Sequence, residues 1–150
     1  MEKTLLIIKP DGVQRGLVGK ILARVEKKGF KISAMKLEKV SREKAAVHYA
    51  EHKEKGFYSE LLDFITSSPC VLAVIEGENV IEGLRKMAGK TNPLEADIGT
   101  IRGDFAVVVS QNIVHTSDGP ESSKREIENF FENKELQEHI LCTEQWIYGS

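Results

Sequence analysis

The chain has 150 residues, a length that suits one domain spanning residues 1–150 with an ordinary core. Its 21 Lys plus Arg stand against 23 Asp plus Glu, and the resulting net charge of −2 excludes the whole-chain basic footprint of a dedicated nucleic-acid binder. The apolar run before Lys9 is too short for a secretion signal, no run approaches the ~20 residues of a membrane span, and Cys70 and Cys142 form neither a disulfide framework nor a metal spacing, so the cytoplasm is the expected compartment.

Residues 4–9, TLLIIK, are a short apolar run closed by the turn signal KPDG and read as a buried strand. In GLVGKILARVEKKGF, Val18, Ile21, Leu22 and Val25 fall at helical spacing, with Gly29 as the stop. FKISAMKLEKV alternates Phe30, Ile32 and Ala34, a strand pattern. Ser41 suits the cap of a helix carrying Ala46 and Tyr49. A second helix places Phe57, Leu61, Phe64 and Ile65 on one face. CVLAVIEG is a fully apolar strand. Val80, Ile81, Leu84, Met87 and Ala88 then recur on one helical face that ends at Gly89. KTNPLEADIGTIRGD reads as a long loop and FAVVV, residues 105–109, as a strand. Pro120 suits the first position of a helix carrying Ile127, Phe130 and Phe131. The C-terminal tail is polar.

The order is β-α-β-α-α-β-α-loop-β-α, without repeats or linkers. Two crossover units on about four strands suggest the split βαβ, ferredoxin-like α+β plan, with a small doubly wound sheet as the alternative.

The stretch GLRKMAGKT, residues 83–91, imitates the phosphate-binding P-loop. Five residues separate Gly83 from Gly89 where the P-loop has four. A P-loop also joins a strand to a helix N-terminus, whose N–H groups cradle the anion. Here Gly83 falls inside a helical pattern and Gly89 at its end, where the helix dipole repels phosphate. Phosphates handled by this chain are therefore expected to meet side chains.

QNIVHTSD, residues 111–118, holds the best candidate chemistry. A neutral imidazole such as that of His115 is a good nucleophile near pH 7. A carboxylate on the following helix, with Glu126 as candidate, could orient the ring. Lys9, Arg85 and Arg102 supply fixed positive charge of the kind that phosphoryl transfer needs, provided they converge. Phe57, after a charged run, could stack on a base or simply pack.

Taken together, IIKPDGVQRG, ITSSPCVLAVIEGENVI, GKTNPLEADIGTIRGDF, NIVHTSD and QWIY resemble a nucleoside diphosphate kinase, in order and over essentially the whole chain. The resemblance implies a ferredoxin-like α/β sandwich with an antiparallel four-stranded sheet. It implies transfer of the γ-phosphate of a nucleoside triphosphate to a nucleoside diphosphate, by a ping-pong route through a phosphohistidine. Mg²⁺ is carried mainly on the nucleotide phosphates, with no metal site of protein ligands alone. His115 matches the phosphorylated residue, Glu126 the carboxylate that orients it and Ser117 its hydroxyl partner. Arg85, Thr91 and Arg102 match the phosphate ligands, Lys9 and Asn112 the groups on the ribose hydroxyl, and Tyr49 the site tyrosine. Phe57 and Val109 match the residues that sandwich the base with little selectivity. A homotetramer or homohexamer built from dimers is also implied.

Two positions depart from the family pattern. Thr116 stands where Gly or Ala usually follows the catalytic histidine, and a β-branched residue is stiffer there. Gly56 stands where a proline is common before the stacking Phe57. Two other readings are a ferredoxin-like nucleotide sensor without turnover, which would not need His115, Glu126 and Ser117 together, and a nucleic-acid binder, which the acidic balance disfavours.

Overall fold

The computed structural model describes residues 1–150. Four strands, β1 (Glu2–Ile8), β2 (Lys31–Glu38), β3 (Cys70–Gly77) and β4 (Val114–Thr116), form one sheet in the order β2-β3-β1-β4. Every neighbouring pair is antiparallel. This is the ferredoxin-like arrangement, and a parallel, doubly wound sheet is ruled out.

β1 and β3 lie at the centre because both faces of each are apolar. From Thr4 to Ile8, β1 is buried without a break. Strand alternation sends Leu6 and Ile8 to one face and Leu5 and Ile7 to the other. The first face packs with Ile21 and Val25 of α2 (Val18–Lys28) and with Val80, Leu84 and Ala88 of α5 (Val80–Ala88). The second packs with Ala45 of α3 (Arg42–His48), Leu62 and Ile65 of α4 (Tyr58–Ile65), and Phe130 of α7 (Pro120–Phe130).

The helix ends follow local chemistry. Gly29 closes α2 at φ 103°, a left-handed conformation that costs glycine no steric penalty. The Ser41 hydroxyl accepts from Lys44 N and starts α3. Pro120 opens α7 after Gly119, whose N–H donates to the Ser122 hydroxyl at 3.0 Å.

Several elements differ from the sequence reading. KPDG is the first part of a short helix, α1 (Pro10–Gln14), because proline at its first position is preset for helical φ. In β2 a bulge shifts the register between Ile32 and Ala34, so Ser33 and Ala34 are both buried and the simple alternation fails. On α3 the inward residues are Ala45 and His48, followed by Tyr49, rather than Ala46. On α4 they are Leu62 and Ile65, while Phe57 is 47% exposed at the helix start. FAVVV is not a strand. Phe105 ends α6 (Ile101–Phe105), whose start is capped by the Thr100 hydroxyl accepting from Gly103 N, and Val107 is 83% exposed. The fourth strand comes later and is three residues long. The tail also contains a short helix, α8 (Glu144–Tyr148). No helix is long and apolar enough to cross a membrane.

Candidate active site

β4 pairs with the C-terminal part of β1, with His115 opposite Ile7 and Thr116 opposite Leu6. Alternation therefore turns His115 and Ser117 toward α7, and Thr116 toward α5. α7 presents Glu126 to the first pair. His115 Nε2 lies 2.9 Å from Glu126 Oε1, and the Ser117 hydroxyl donates to the same oxygen at 2.6 Å. Ser117 Oγ in turn accepts from Leu5 N at 3.3 Å, which ties the group to the central strand. Burial alone would raise the Glu126 carboxyl. The hydrogen bond and charge of His115 and the Ser117 hydroxyl outweigh it and hold the group below its ordinary value. An ionised carboxylate only accepts, so His115 Nε2 carries a proton, and in the neutral imidazole Nδ1 is the nitrogen with the lone pair.

His48, the last residue of α3, meets the His115 ring edge-on, with centroids 4.5 Å apart and planes at 85°. It is 8% exposed. Burial first, and the neighbouring His115 second, push its pKa down to about 3, so it is neutral. Its Nδ1 has no hydrogen-bond partner.

The segment leading into β4 is strained. Val114 N donates back to Asn112 O at 2.8 Å, and Ile113 between them has φ 74°. This is a γ-turn in a conformation that a β-branched residue rarely adopts. Such backbone costs about 1–3 kcal/mol and persists only where its surroundings over-determine it. Three partners do so here. Ile113 N donates to Asp11 Oδ2 at 3.0 Å, Lys9 N to Ile113 O at 2.8 Å, and Arg102 Nε to Asn112 O at 3.3 Å. Arg102 also donates to Gly89 O at 2.8 Å and Val114 O at 2.7 Å. α6 delivers this arginine from a tight bend. A Cβ on Gly103 would sit 1.9 Å from the Asp97 carbonyl oxygen, so the TIRGDF segment needs glycine there. The turn aims the Asn112 side chain, which accepts from Lys9 Nζ at 2.8 Å and donates to Thr91 O at 3.0 Å.

These groups surround one open cavity of about 930 Å³. Its wall includes Lys9, Arg85, Thr91, Arg102, Asn112, His115, Thr116 and Glu126, so the three cations named from the sequence do converge. Burial, then the charge of Arg102, lowers the Lys9 pKa to about 8. Burial, then Arg85, lowers Arg102 to about 10. The cavity is thus electropositive beside a histidine with a free nitrogen. Gly89 joins the wall through its carbonyl, which accepts from Arg102, and forms no anion nest.

Other expected residues do not line the cavity. Ser117 is fully buried behind His115, and Tyr49 belongs to the core on the α3 side, where burial pushes its hydroxyl pKa up. Phe57 and Val109 are exposed and stand off the cavity wall. Two residues went unremarked in the sequence. His48 could have been found from Ala45, His48 and Tyr49 at i, i+3 and i+4, which put a histidine on the apolar stripe of α3. Asp11 carried no comparable signal, since its role depends on a residue 102 positions away.

The donor set also bears on metals. The one grouping of three metal-competent residues is His48, His115 and Glu126, with ligand atoms within 4.8 Å of one another. Two nitrogens and one oxygen are poor company for a hard cation such as Mg²⁺, which takes about six oxygens.

Comparison with known proteins identifies relatives along the whole chain. The family model described as nucleoside diphosphate kinase matches residues 2–136. The nucleoside diphosphate kinase of Halalkalibacterium halodurans is 56% identical over 147 residues, covering 98% of this chain and 100% of that one. That of Archaeoglobus fulgidus is 53% identical over 148 residues, covering 99% and 98%. Among solved structures, a halophilic nucleoside diphosphate kinase from Halobacterium salinarum, in complex with CDP, superposes with a TM-score of 0.96 at 40% identity and 98% coverage of both chains.

Proposed function

Since the chain belongs to the nucleoside diphosphate kinase family, and is a nucleotide-binding phosphotransferase of that kind, we propose that it works by a ping-pong route through a phosphohistidine on His115, with little selectivity for the base. The observation that carries this reading is the chain from Ser117 through Glu126 to His115 Nε2, which leaves Nδ1 as the unengaged nitrogen of a residue that lines the cavity.

In the first half-reaction His115 Nδ1 attacks the γ-phosphorus. The N–P bond forms, the bond from phosphorus to the bridging oxygen breaks, and the nucleoside diphosphate leaves with that electron pair. The imidazole becomes cationic, and the Glu126 carboxylate stabilises it through the Nε2 proton. In the second half-reaction a terminal oxygen of another nucleoside diphosphate attacks the same phosphorus, the N–P bond breaks, and the ring returns to neutral. Arg85, Arg102 and Thr91 hold the phosphates and offset charge on the transferring oxygens. Lys9 and Asn112, already bonded to each other, position the ribose hydroxyl. Phe57 and Val109 sandwich the base without reading its edge, which admits purines and pyrimidines alike. Tyr49 supports the wall beside His48, with ring centroids 4.7 Å apart. The divalent cation, assigned as Mg²⁺, arrives on the nucleotide phosphates as part of the substrate. Thr116 lines the same cavity from the opposite face of β4, and none of these roles calls on its side chain.

The whole chain acts as one catalytic domain in the cytoplasm, assembled as a homotetramer or homohexamer of dimers. The decisive experiment incubates the protein with γ-labelled ATP and Mg²⁺, then chases with GDP or CDP, with His115→Ala alongside. Acid-labile label on the wild type alone, released as labelled triphosphate, is the expected result. Tight ATP binding without any label on the wild type would replace the relay with a nucleotide sensor.

A further inference from the structure

We propose that His48, His115 and Glu126 form an inhibitory site for a borderline divalent cation such as Zn²⁺, distinct from the hard cation that travels with the nucleotide. The three residues come from α3, β4 and α7, and their ligand atoms lie within 4.8 Å of one another. Two imidazoles and a glutamate are a donor set that zinc uses, with the remaining position open to water. Bond lengths of about 2.0–2.2 Å place the ligands of a tetrahedral ion roughly 3.3 Å apart. The cluster must therefore close by at most about 1.5 Å, a movement within the reach of two imidazoles and a carboxylate on three separate elements.

Two further observations support the site. His48 is buried, yet its Nδ1 makes no hydrogen bond. Nothing in the phosphate relay uses that imidazole, and an orphaned buried polar atom ordinarily marks an absent partner. The cluster is also reachable, because the His115 side chain is 24% exposed and lines the open cavity with Glu126.

Occupancy of the site blocks the enzyme whichever nitrogen of His115 coordinates. Coordination through Nδ1 consumes the nucleophile's lone pair. Coordination through Nε2 replaces the hydrogen bond to Glu126 and leaves the one ring proton on Nδ1, which then has no lone pair for attack. Excess Mg²⁺ does not relieve the block, since it prefers oxygen ligands and near-octahedral geometry. The inhibitory consequence rests on His115 as the phosphoryl carrier, whereas the binding itself does not.

The test uses the full chain in a Cys142→Ser background, which removes the exposed thiol as a competing ligand. Zn²⁺ is titrated calorimetrically without nucleotide, and Co²⁺ is followed by the visible absorption of a tetrahedral centre. His48→Phe and His48→Gln are compared, with circular dichroism as the check on folding. One ion per chain is expected, with affinity weakened in both variants by more than the roughly 10–100-fold that loss of an outer-shell partner costs. Zn²⁺ should also prevent labelling of the parent by γ-labelled ATP, reversibly on chelation and not on added Mg²⁺. Absence of binding, or equal affinity in a folded His48 variant, overturns the proposal. If zinc binds as expected but the zinc-free parent never takes up label, the site stands and the phosphohistidine reading falls.

Discussion

The two faces of the sheet share their strands and differ in what they bury. On the α2 and α5 side, Leu6, Ile8, Ile21, Val25, Leu84 and their neighbours form an apolar cluster of 15 buried residues, bordered at β4 by buried Thr116. On the α3, α4 and α7 side a second apolar cluster of 13 residues gives way, near β4, to buried His48, Ser117, Ser123 and Glu126. There each contact is made by a hydrogen bond or a ring edge: Thr4 with Ser123 at 3.3 Å, Ser117 with Glu126, and His48 against His115. The first face stabilises the fold through area removed from water. The second carries a desolvation cost for charged and polar groups, offset by the hydrogen bonds they make to one another. The candidate site thus rests on a sheet whose far side supplies the rigidity.

The sharpest way to break this contrast is on the apolar side. Ile21→Ala empties a fully buried position on α2 and is expected to cost about 2–5 kcal/mol of stability. Urea unfolding reads the loss, while kcat and KM of the folded enzyme should stay near wild type; a matching fall in kcat would show that the two faces are not separable. On the polar side the signature reverses. Glu126→Gln keeps a hydrogen-bond acceptor but loses the charge that stabilises the imidazolium. A charged hydrogen bond contributes about 1.5–3 kcal/mol, so kcat/KM should drop about 10–100-fold with a smaller change in melting temperature. Equal rates in this variant would remove Glu126 from the relay.

Lys9 tests the same contrast by pH. Its folded pKa, about 8, lies below the ordinary 10.5, so the native protein releases this proton before the unfolded chain does. Between those values the unfolded state binds more protons, and the Lys9 contribution to stability rises with pH. Activity moves the other way, because the cavity loses a positive charge. A falling alkaline limb in kcat/KM near pH 8 is expected, and it should be missing in Lys9→Met; its persistence there would assign the limb to another group. The smallest effect belongs to a position on neither face. A Cβ on Gly56 would meet nothing within 4 Å, so Gly56→Ala should raise stability by about 0.4–1 kcal/mol through the unfolded state alone, as a small upward shift in melting temperature.

The long periodic elements were legible in the sequence, and so were several of the residues that line the cavity. α2, α5 and α7 fall where apolar spacing and their Gly or Pro punctuation put them. The family's motifs named the histidine, its carboxylate and the three cations that the cavity brings together. What escaped was decided at long range. Val107 to Val109 have the β-branched character of a strand, but α6 ends just before them and no strand pairs with them. β4 is too short to show alternation, and its partner is β1, more than a hundred residues earlier. The spacing on α3 marks His48 only as an inward residue, and it takes α3, β4 and α7 together to make it a neighbour of His115.

Arg102 shows what a count of N–H groups decides. A guanidinium carries five N–H donors in a rigid fork. Three carbonyls, from Gly89, Asn112 and Val114, each take one. Two remain uncommitted, and Arg102 faces the cavity. A lysine has three donors in all and would exhaust them on the backbone, leaving none for an incoming anion. Arginine at this position is therefore a matter of arithmetic: it is the one side chain with enough hydrogens both to stitch three stretches of chain together and to keep donors in reserve at the cavity.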